Sequence, residues 1–117
     1  MTKKKYYCPV EVTIEVLSGK WKGAILWWLG QEPHRFSDLR DLMPGLSPQV
    51  LSTRLKELED AGLVIRKDHK ERPPRVEYSL TPLGKELSNL TRDMCTWGRK
   101  MKPNERFVYQ EVLDSLS

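Results

Sequence analysis

The chain has 117 residues, 38% hydrophobic and 31% charged, which suits one domain with a buried core and no more. Cys8 and Cys95 stand far apart, with no His or Cys cluster near either, so neither a disulfide framework nor a zinc site is expected. The net charge of +4 is uneven: residues 1–75 carry 14 Lys/Arg against 10 Asp/Glu, and residues 76–117 six of each. An anionic partner would therefore meet the first two-thirds of the chain.

No apolar run approaches the ~20 residues of a membrane span. The Lys3-Lys4-Lys5 start leads into polar residues, not the apolar stretch of a signal peptide. A cytoplasmic chain with reduced thiols is the expectation.

Residues Pro9 to Leu17 carry two periodicities. Val10, Val12, Ile14 and Val16 alternate as in a strand, whereas Val10, Ile14 and Leu17 fit a helical stripe. Pro9 suits a first helical turn and Gly19 an end, so a helix is predicted. Trp21 to Gly30 predicts a second helix, apolar nearly all round and therefore central, followed by a polar loop, Gln31-Glu32-Pro33-His34. A short helix from Ser37 to Met43 is broken by Pro44-Gly45.

The next helix has the strongest local signals. Ser47 is an N-cap, Pro48 takes the first helical position, and Leu46 and Leu51 stand at the two positions of a hydrophobic staple. Gly62 can adopt the left-handed conformation and fold Leu63 back on Leu58, which sets a helix from Pro48 to about Ala61. Residues 63–67 then predict a strand, Lys70 to Arg75 a charged loop with two prolines, and Val76, Tyr78 and Leu80 the buried face of a second strand. Thr81-Pro82 starts a long helix in which Leu83, Leu87, Leu90, Met94, Trp97 and Met101 recur at intervals of 4, 3, 4, 3 and 4. That spacing keeps one seam toward a partner helix. After Pro103 a last amphipathic helix is expected, carrying Phe107, Val108, Val112, Leu113 and Leu116.

This order predicts a mainly α fold with a small β-hairpin wing. It is a winged helix-turn-helix, with the helix-turn-helix over about 37–61 and the wing over about 63–81. On a helical wheel Leu51, Leu55 and Leu58 point inward, and Gln49, Thr53 and Lys56 point out, flanked by Ser52 and Glu57 with Arg54 at the edge. Such a polar, partly cationic face suits base edges in a major groove, and its helix N-terminus favours a phosphate. In an isolated helix the same face is ordinarily just solvated. The tight turn before it and the basic hairpin after it shift the reading toward DNA. The two prolines stiffen the hairpin tip, lowering the entropy lost on docking along a phosphate chain.

The residues Cys8-Pro9, Gly19-Lys20-Trp21, Ile25-Leu26, Arg35-Phe36, Leu39, Pro44-Gly45, Leu46-Ser47, Leu51, Leu55, Leu58, Gly62-Leu63-Val64 and Arg66, with the run from Pro73 to Gly84, resemble the signature of the HxlR family. The likeness extends from about residue 8 to 98 without an evident gap. It implies a dimeric winged-helix regulator related to the MarR group that binds a palindromic promoter site. It further implies a recognition helix over 47–61, a wing over 68–75, and dimerisation helices over about 9–18 and 82–116 within a single domain, 1–117. The expected DNA-contacting residues are Arg35, Ser37, Ser47, Gln49, Val50, Ser52, Thr53, Arg54 and Lys56, with Lys70, Arg72 and Arg75 on the wing. The expected dimer interface is Val10, Ile14, Leu87, Leu90, Met94, Trp97 and Met101.

Cys8 has two readings. At a helix N-cap behind three lysines a thiolate is favoured, and the resemblance implies a sensor of oxidants or electrophiles at this position. Alternatively it is an inert thiol packed beside the dimer seam. Cys95, next to the seam, reads as packing, and His34 and His69 as surface residues. No cofactor or metal is called for. Catalysis lacks a phosphate loop, a supported carboxylate pair or an assembled triad. Two other readings stay open: a winged helix used only for protein contact, and a regulator controlled by a small ligand. Repression and activation are equally compatible with the sequence.

Overall fold

The computed structural model describes residues 5–101, and the expected helix after Pro103 lies outside them. Pro9 at the first helical position starts α1 (Pro9–Leu17), which settles the ambiguous stretch as a helix. It buries none of its residues fully, which accounts for the alternating pattern: Val12 can join Val10 and Ile14 on the outside. Val16 and Leu17 pack against the core.

The second helix, α2, runs over Lys22–Gln31, one residue later than predicted at each end. Trp21 is its N-cap, in the left-handed conformation at φ 83°, and Gly19 lies at φ 109°. The α1–α2 turn thus contains two left-handed residues, one of which is not glycine. Ala24, Ile25, Leu26 and Leu29 of α2 are buried, and the helix packs against the last helix, the sheet and the capped helix. It is the central element, as its all-round apolar surface predicts.

His34–Arg35 forms a two-residue strand, β1, where a polar loop was expected. It pairs antiparallel with the strand β3 (Val76–Leu80), which also pairs with β2 (Val64–Asp68), giving the order β1-β3-β2. The wing is therefore a three-stranded sheet, not a lone hairpin. Because β3 is the middle strand, Val76 to Ser79 are all half-buried and only Leu80 is fully buried. The expected alternation of a buried and an open face is correspondingly lost.

Helix α3 (Phe36–Leu42) leads through Pro44-Gly45 to α4 (Pro48–Asp60). At the start of α4 the Ser47 hydroxyl accepts the Val50 N–H at 3.1 Å. At its end the Gly62 N–H donates to the Glu59 carbonyl and the Leu63 N–H to the Leu58 carbonyl, both at 3.0 Å, with Gly62 at φ 78°. These are the two bonds of a Schellman turn. Leu51, Leu55 and Leu58 lie in the core with Leu39, Met43, Leu46 and Leu63.

Thr81 caps α5 (Pro82–Lys100) by accepting the Gly84 N–H at 3.0 Å. Two close approaches seat this helix. A β-carbon at Gly84 would run into the Leu63 carbonyl, and one at Gly30 into the Ser88 hydroxyl. That hydroxyl donates to the Leu26 carbonyl at 2.9 Å inside the core. No helix of the described residues is long and apolar enough to cross a membrane.

A charged contact joins α2 to α4. The Lys22 side chain is only 8% exposed and its Nζ lies 3.1 Å from Glu57 Oε2. Arg54 Nη1 donates to Glu57 Oε1 at 2.6 Å. The Lys22 hydrogen bond first, and that of Arg54 second, hold the Glu57 carboxyl below its ordinary value of 4.5. Glu57 is 38% exposed, so solvent screens part of the effect. A carboxyl lowered on folding stabilises the fold fully above the ordinary glutamate range, and that contribution is lost as pH falls through the lowered value. We therefore expect wild type to melt above Glu57→Gln near neutrality and the gap to narrow as pH falls through the ordinary glutamate range and below it. A gap independent of pH would show that the contact draws nothing from the Glu57 charge.

Candidate nucleic-acid interface

The two caps and the leucine stripe orient α4, so its outer face follows from its inner one. Gln49, Ser52, Thr53 and Lys56 are exposed. The Thr53 hydroxyl donates back to the Gln49 carbonyl at 3.0 Å, and Lys56 Nζ lies 3.2 Å from Asp60 Oδ1, four residues on. Both Lys56 and Asp60 are well exposed, so this pair is weak and easily exchanged. Ser47 is exposed but holds the N-cap, and Ser37 is exposed on α3. Arg35 is exposed at the start of α3, where its backbone N–H donates to Asp38 Oδ2 at 3.1 Å.

Two residues expected on this surface sit elsewhere. Val50 is half-buried and packs on the core. Arg54 is turned toward the α1–α2 turn, its Nε donating to the Lys20 carbonyl at 3.1 Å. The displacement of Arg54 is not legible from the helical wheel, because residue 54 lies at the stripe's edge and its partner lies 34 positions earlier.

The wing tip projects from β2 and β3. Lys70 is exposed, with its backbone in the left-handed region at φ 51° and its N–H donating to Asp68 Oδ1 at 2.9 Å. Arg72 is exposed. Arg75 is not wholly at the tip: it is half-buried and its Nη2 donates to Glu71 Oε1 at 3.3 Å. His69, expected on the surface, is half-buried just beyond the end of β2, with its Nε2 3.1 Å from Glu77 Oε1 and its backbone N–H donating to the Arg75 carbonyl at 2.9 Å. His34 is half-buried and meets the Trp28 ring edge-on at 6.5 Å between centroids.

A second surface is apolar. Val10, Val12 and Ile14 of α1 are exposed, as are Leu83, Leu90, Met94, Trp97 and Met101 along and just beyond α5. The two helices border one groove, which Val12 and Val16 line together with Leu83, Leu87 and Leu90. Leu87, expected to face a partner, is half-buried against the chain's own core. A cavity of about 310 Å³ opens between Leu17 of α1, Ala24 and Trp27 of α2, and Met94 and Cys95 of α5.

Cys8 is the N-cap residue of α1, is exposed, and makes no side-chain capping hydrogen bond. Its carbonyl accepts the Glu11 N–H at 2.9 Å, and Glu11 Oε2 accepts the Tyr7 N–H at 3.0 Å. Within a single chain the thiol is therefore not packed away. Cys95 is half-buried at the wall of the cavity.

Comparison with known proteins agrees with this geometry. The HxlR-like helix-turn-helix family model matches residues 16–106, a span that starts after Cys8. The uncharacterized HTH-type transcriptional regulator YkvN of Bacillus subtilis is 45% identical over 95 residues, 81% of this chain and 80% of that protein. Among solved structures, the redox regulator HypR in its oxidized form is 37% identical with a TM-score of 0.75, covering 83% of this chain and 100% of that one. The reduced form of the transcriptional regulator YodB from B. subtilis is 33% identical with a TM-score of 0.72, covering 82% and 95%. With an exposed polar helix face, a basic wing and relatives of this kind, the chain belongs to the HxlR-like helix-turn-helix family and is a winged-helix transcriptional regulator.

Proposed function

We propose that the chain is a cytoplasmic, sequence-specific DNA-binding regulator that acts as a homodimer on a two-fold symmetric operator. The observation that carries this reading is α4 itself. Its leucine side is anchored in the core while Gln49, Ser52, Thr53 and Lys56 stand exposed beside a basic wing. Selection of bound sites from a random DNA pool tests it. The expected product is a site with a dyad, its halves about one helical turn, roughly 34–36 Å, or a multiple of that apart. Gln49→Ala and Thr53→Ala should relax preference at particular base pairs, by about 1–3 kcal/mol for a bidentate contact. Arg72→Ala should weaken all sequences alike and reduce the slope of log affinity against log salt by about 0.9. A site without a dyad, or variants that leave preference and slope untouched, would place the DNA surface elsewhere.

The apolar face of α1 and α5 supports the homodimer. Trp97 is 63% exposed and Met94 46% in the single chain, a costly amount of apolar surface to leave in water. An Asp at either place leaves the single-chain core intact but would strand a carboxylate in a covered interface. Sedimentation of Met94→Asp and Trp97→Asp should show folded monomers that have lost operator binding. Intact dimers for both would mean that the partner covers another face.

Cys8 is the proposed sensor of oxidants or electrophiles. Support comes from its exposure at the helix N-cap, next to the proposed partner surface. Similarity to solved structures that include oxidized HypR and diamide-treated YodB points the same way. Reaction there could shift α1 against a partner and so the spacing of two recognition helices. Diamide should change operator affinity in wild type and Cys95→Ser but not in Cys8→Ser. The cavity between α1, α2 and α5 favours a second reading, control by a small apolar ligand, and an unchanged diamide response in Cys8→Ser would move the case to it.

A further inference from the structure

On sequence grounds Arg54 belongs with the DNA-contacting residues and Glu57 flanks them. The structure turns both away from the exposed face. Glu57 uses its two oxygens on different partners, Oε1 accepting from Arg54 Nη1 at 2.6 Å and Oε2 lying 3.1 Å from Lys22 Nζ. Arg54 reaches further, its Nε donating to the Lys20 carbonyl at 3.1 Å. Gly19 makes room for it: a β-carbon there would stand 3.1 Å from the Arg54 Cζ. The left-handed residues Gly19 and Trp21 flank Lys20, the residue whose carbonyl Arg54 engages. Lys22 is nearly buried, so its ammonium depends on Glu57 for a partner.

We propose that Lys22, Glu57 and Arg54 form a joint that sets the angle of α4 against the α1–α2 turn, with Arg54 a positioning residue and not a phosphate contact. This rests on the reading of α4 as the helix that enters DNA. Leu51, Leu55 and Leu58 keep α4 on the core, but apolar contact has no preferred direction, and a helix can tilt on such a stripe without changing the face it buries. Charged hydrogen bonds to a planar guanidinium and a two-oxygen carboxylate do have directions. The joint acts on the second half of α4 and leaves Gln49, Ser52 and Thr53 near its start unencumbered. The turn it grips begins where α1 ends, at Leu17. A shift of α1 against a partner would thus reach α4 through Lys20 and Arg54 as well as through the core.

Glu57→Gln separates this role from simple electrostatics. Removing an acid beside a DNA surface should tighten binding if charge alone matters. The joint predicts the reverse, operator affinity weakened roughly tenfold, the scale of one charged hydrogen bond, with binding to random DNA and the salt slope unchanged. Arg54→Lys, which keeps the charge but loses the fork, should show the same loss. A tighter Glu57→Gln, or an Arg54→Ala that flattens the salt slope while Arg54→Lys binds as wild type, would make Arg54 a phosphate contact and overturn the proposal. Glu57→Gln leaves Lys22 unpaired, so Lys22→Met/Glu57→Gln is the companion variant. It should regain melting temperature yet still bind the operator weakly, and recovery of both would overturn the proposal. Should wild type select no DNA site, the DNA reading itself has failed. Amide exchange in the free protein then decides: Glu57→Gln should speed exchange at Lys20, Trp21 and Lys22, and unchanged rates there overturn the joint.

Discussion

Everything on the polar side of this molecule depends on how α4 is held on its apolar side. Three leucines at helical spacing, 51, 55 and 58, are buried with at most 1% of their surface exposed. The helix is closed by a serine cap at one end and a Schellman turn at the other. Because residues on one helix are rigidly related at about 100° per residue, burying that stripe fixes which side chains face out. Gln49, Ser52, Thr53 and Lys56 are presented to solvent with no further device. The function assigned to the surface is thus a consequence of packing beneath it.

The leucine stripe fixes the facing of α4 more firmly than its angle, and the charged contacts add direction. Lys22 comes from α2, the central helix, and the Lys20 carbonyl from the turn before it, so α4 is tied to the innermost element and to the end of α1 at once. A nearly buried lysine would destabilise an apolar helix if unpaired. Its pairing with Glu57, itself shared with Arg54, turns that liability into a geometric restraint. The wing is restrained differently. Its strands are held by the central position of β3 and, next to the tip, by the contact between His69 and Glu77, whereas Lys70 and Arg72 stay exposed.

The apolar face along α1 and α5 is the counterpart of the polar one. Leu87, Ser88 and Gly84 seat α5 on the chain's own core, and Leu83, Leu90, Met94 and Trp97 remain outside. Helix α1 borders the same groove with no fully buried residue, so little within one chain holds it. An element of that kind is drawn from the less stable end of a structure and gains most from a partner. Cys8 stands exposed at the start of this helix, away from the core.

Local chemistry made much of this legible in the sequence. Ser47-Pro48, Gly62 and Thr81-Pro82 mark helix ends because capping involves groups within a turn of each other, and the leucine period of α4 needs no knowledge of what it packs on. The element order, the winged helix and the outward set Gln49, Ser52, Thr53 and Lys56 followed from these signals. Other features depend on distant partners. His34–Arg35 is too short for any periodicity, and it is a strand only because β3 lies beside it. Leu87 shares the seam's spacing with Leu90, yet the neighbouring core draws one inward and leaves the other exposed. Lys22, Arg54 and Glu57 read as surface charges because nothing within a helical turn reveals a partner more than thirty positions away. Capping and periodicity are set by neighbours along the chain, so the sequence determined the elements and their faces. Which charges meet, and which apolar residues stay uncovered, was decided only when the elements packed.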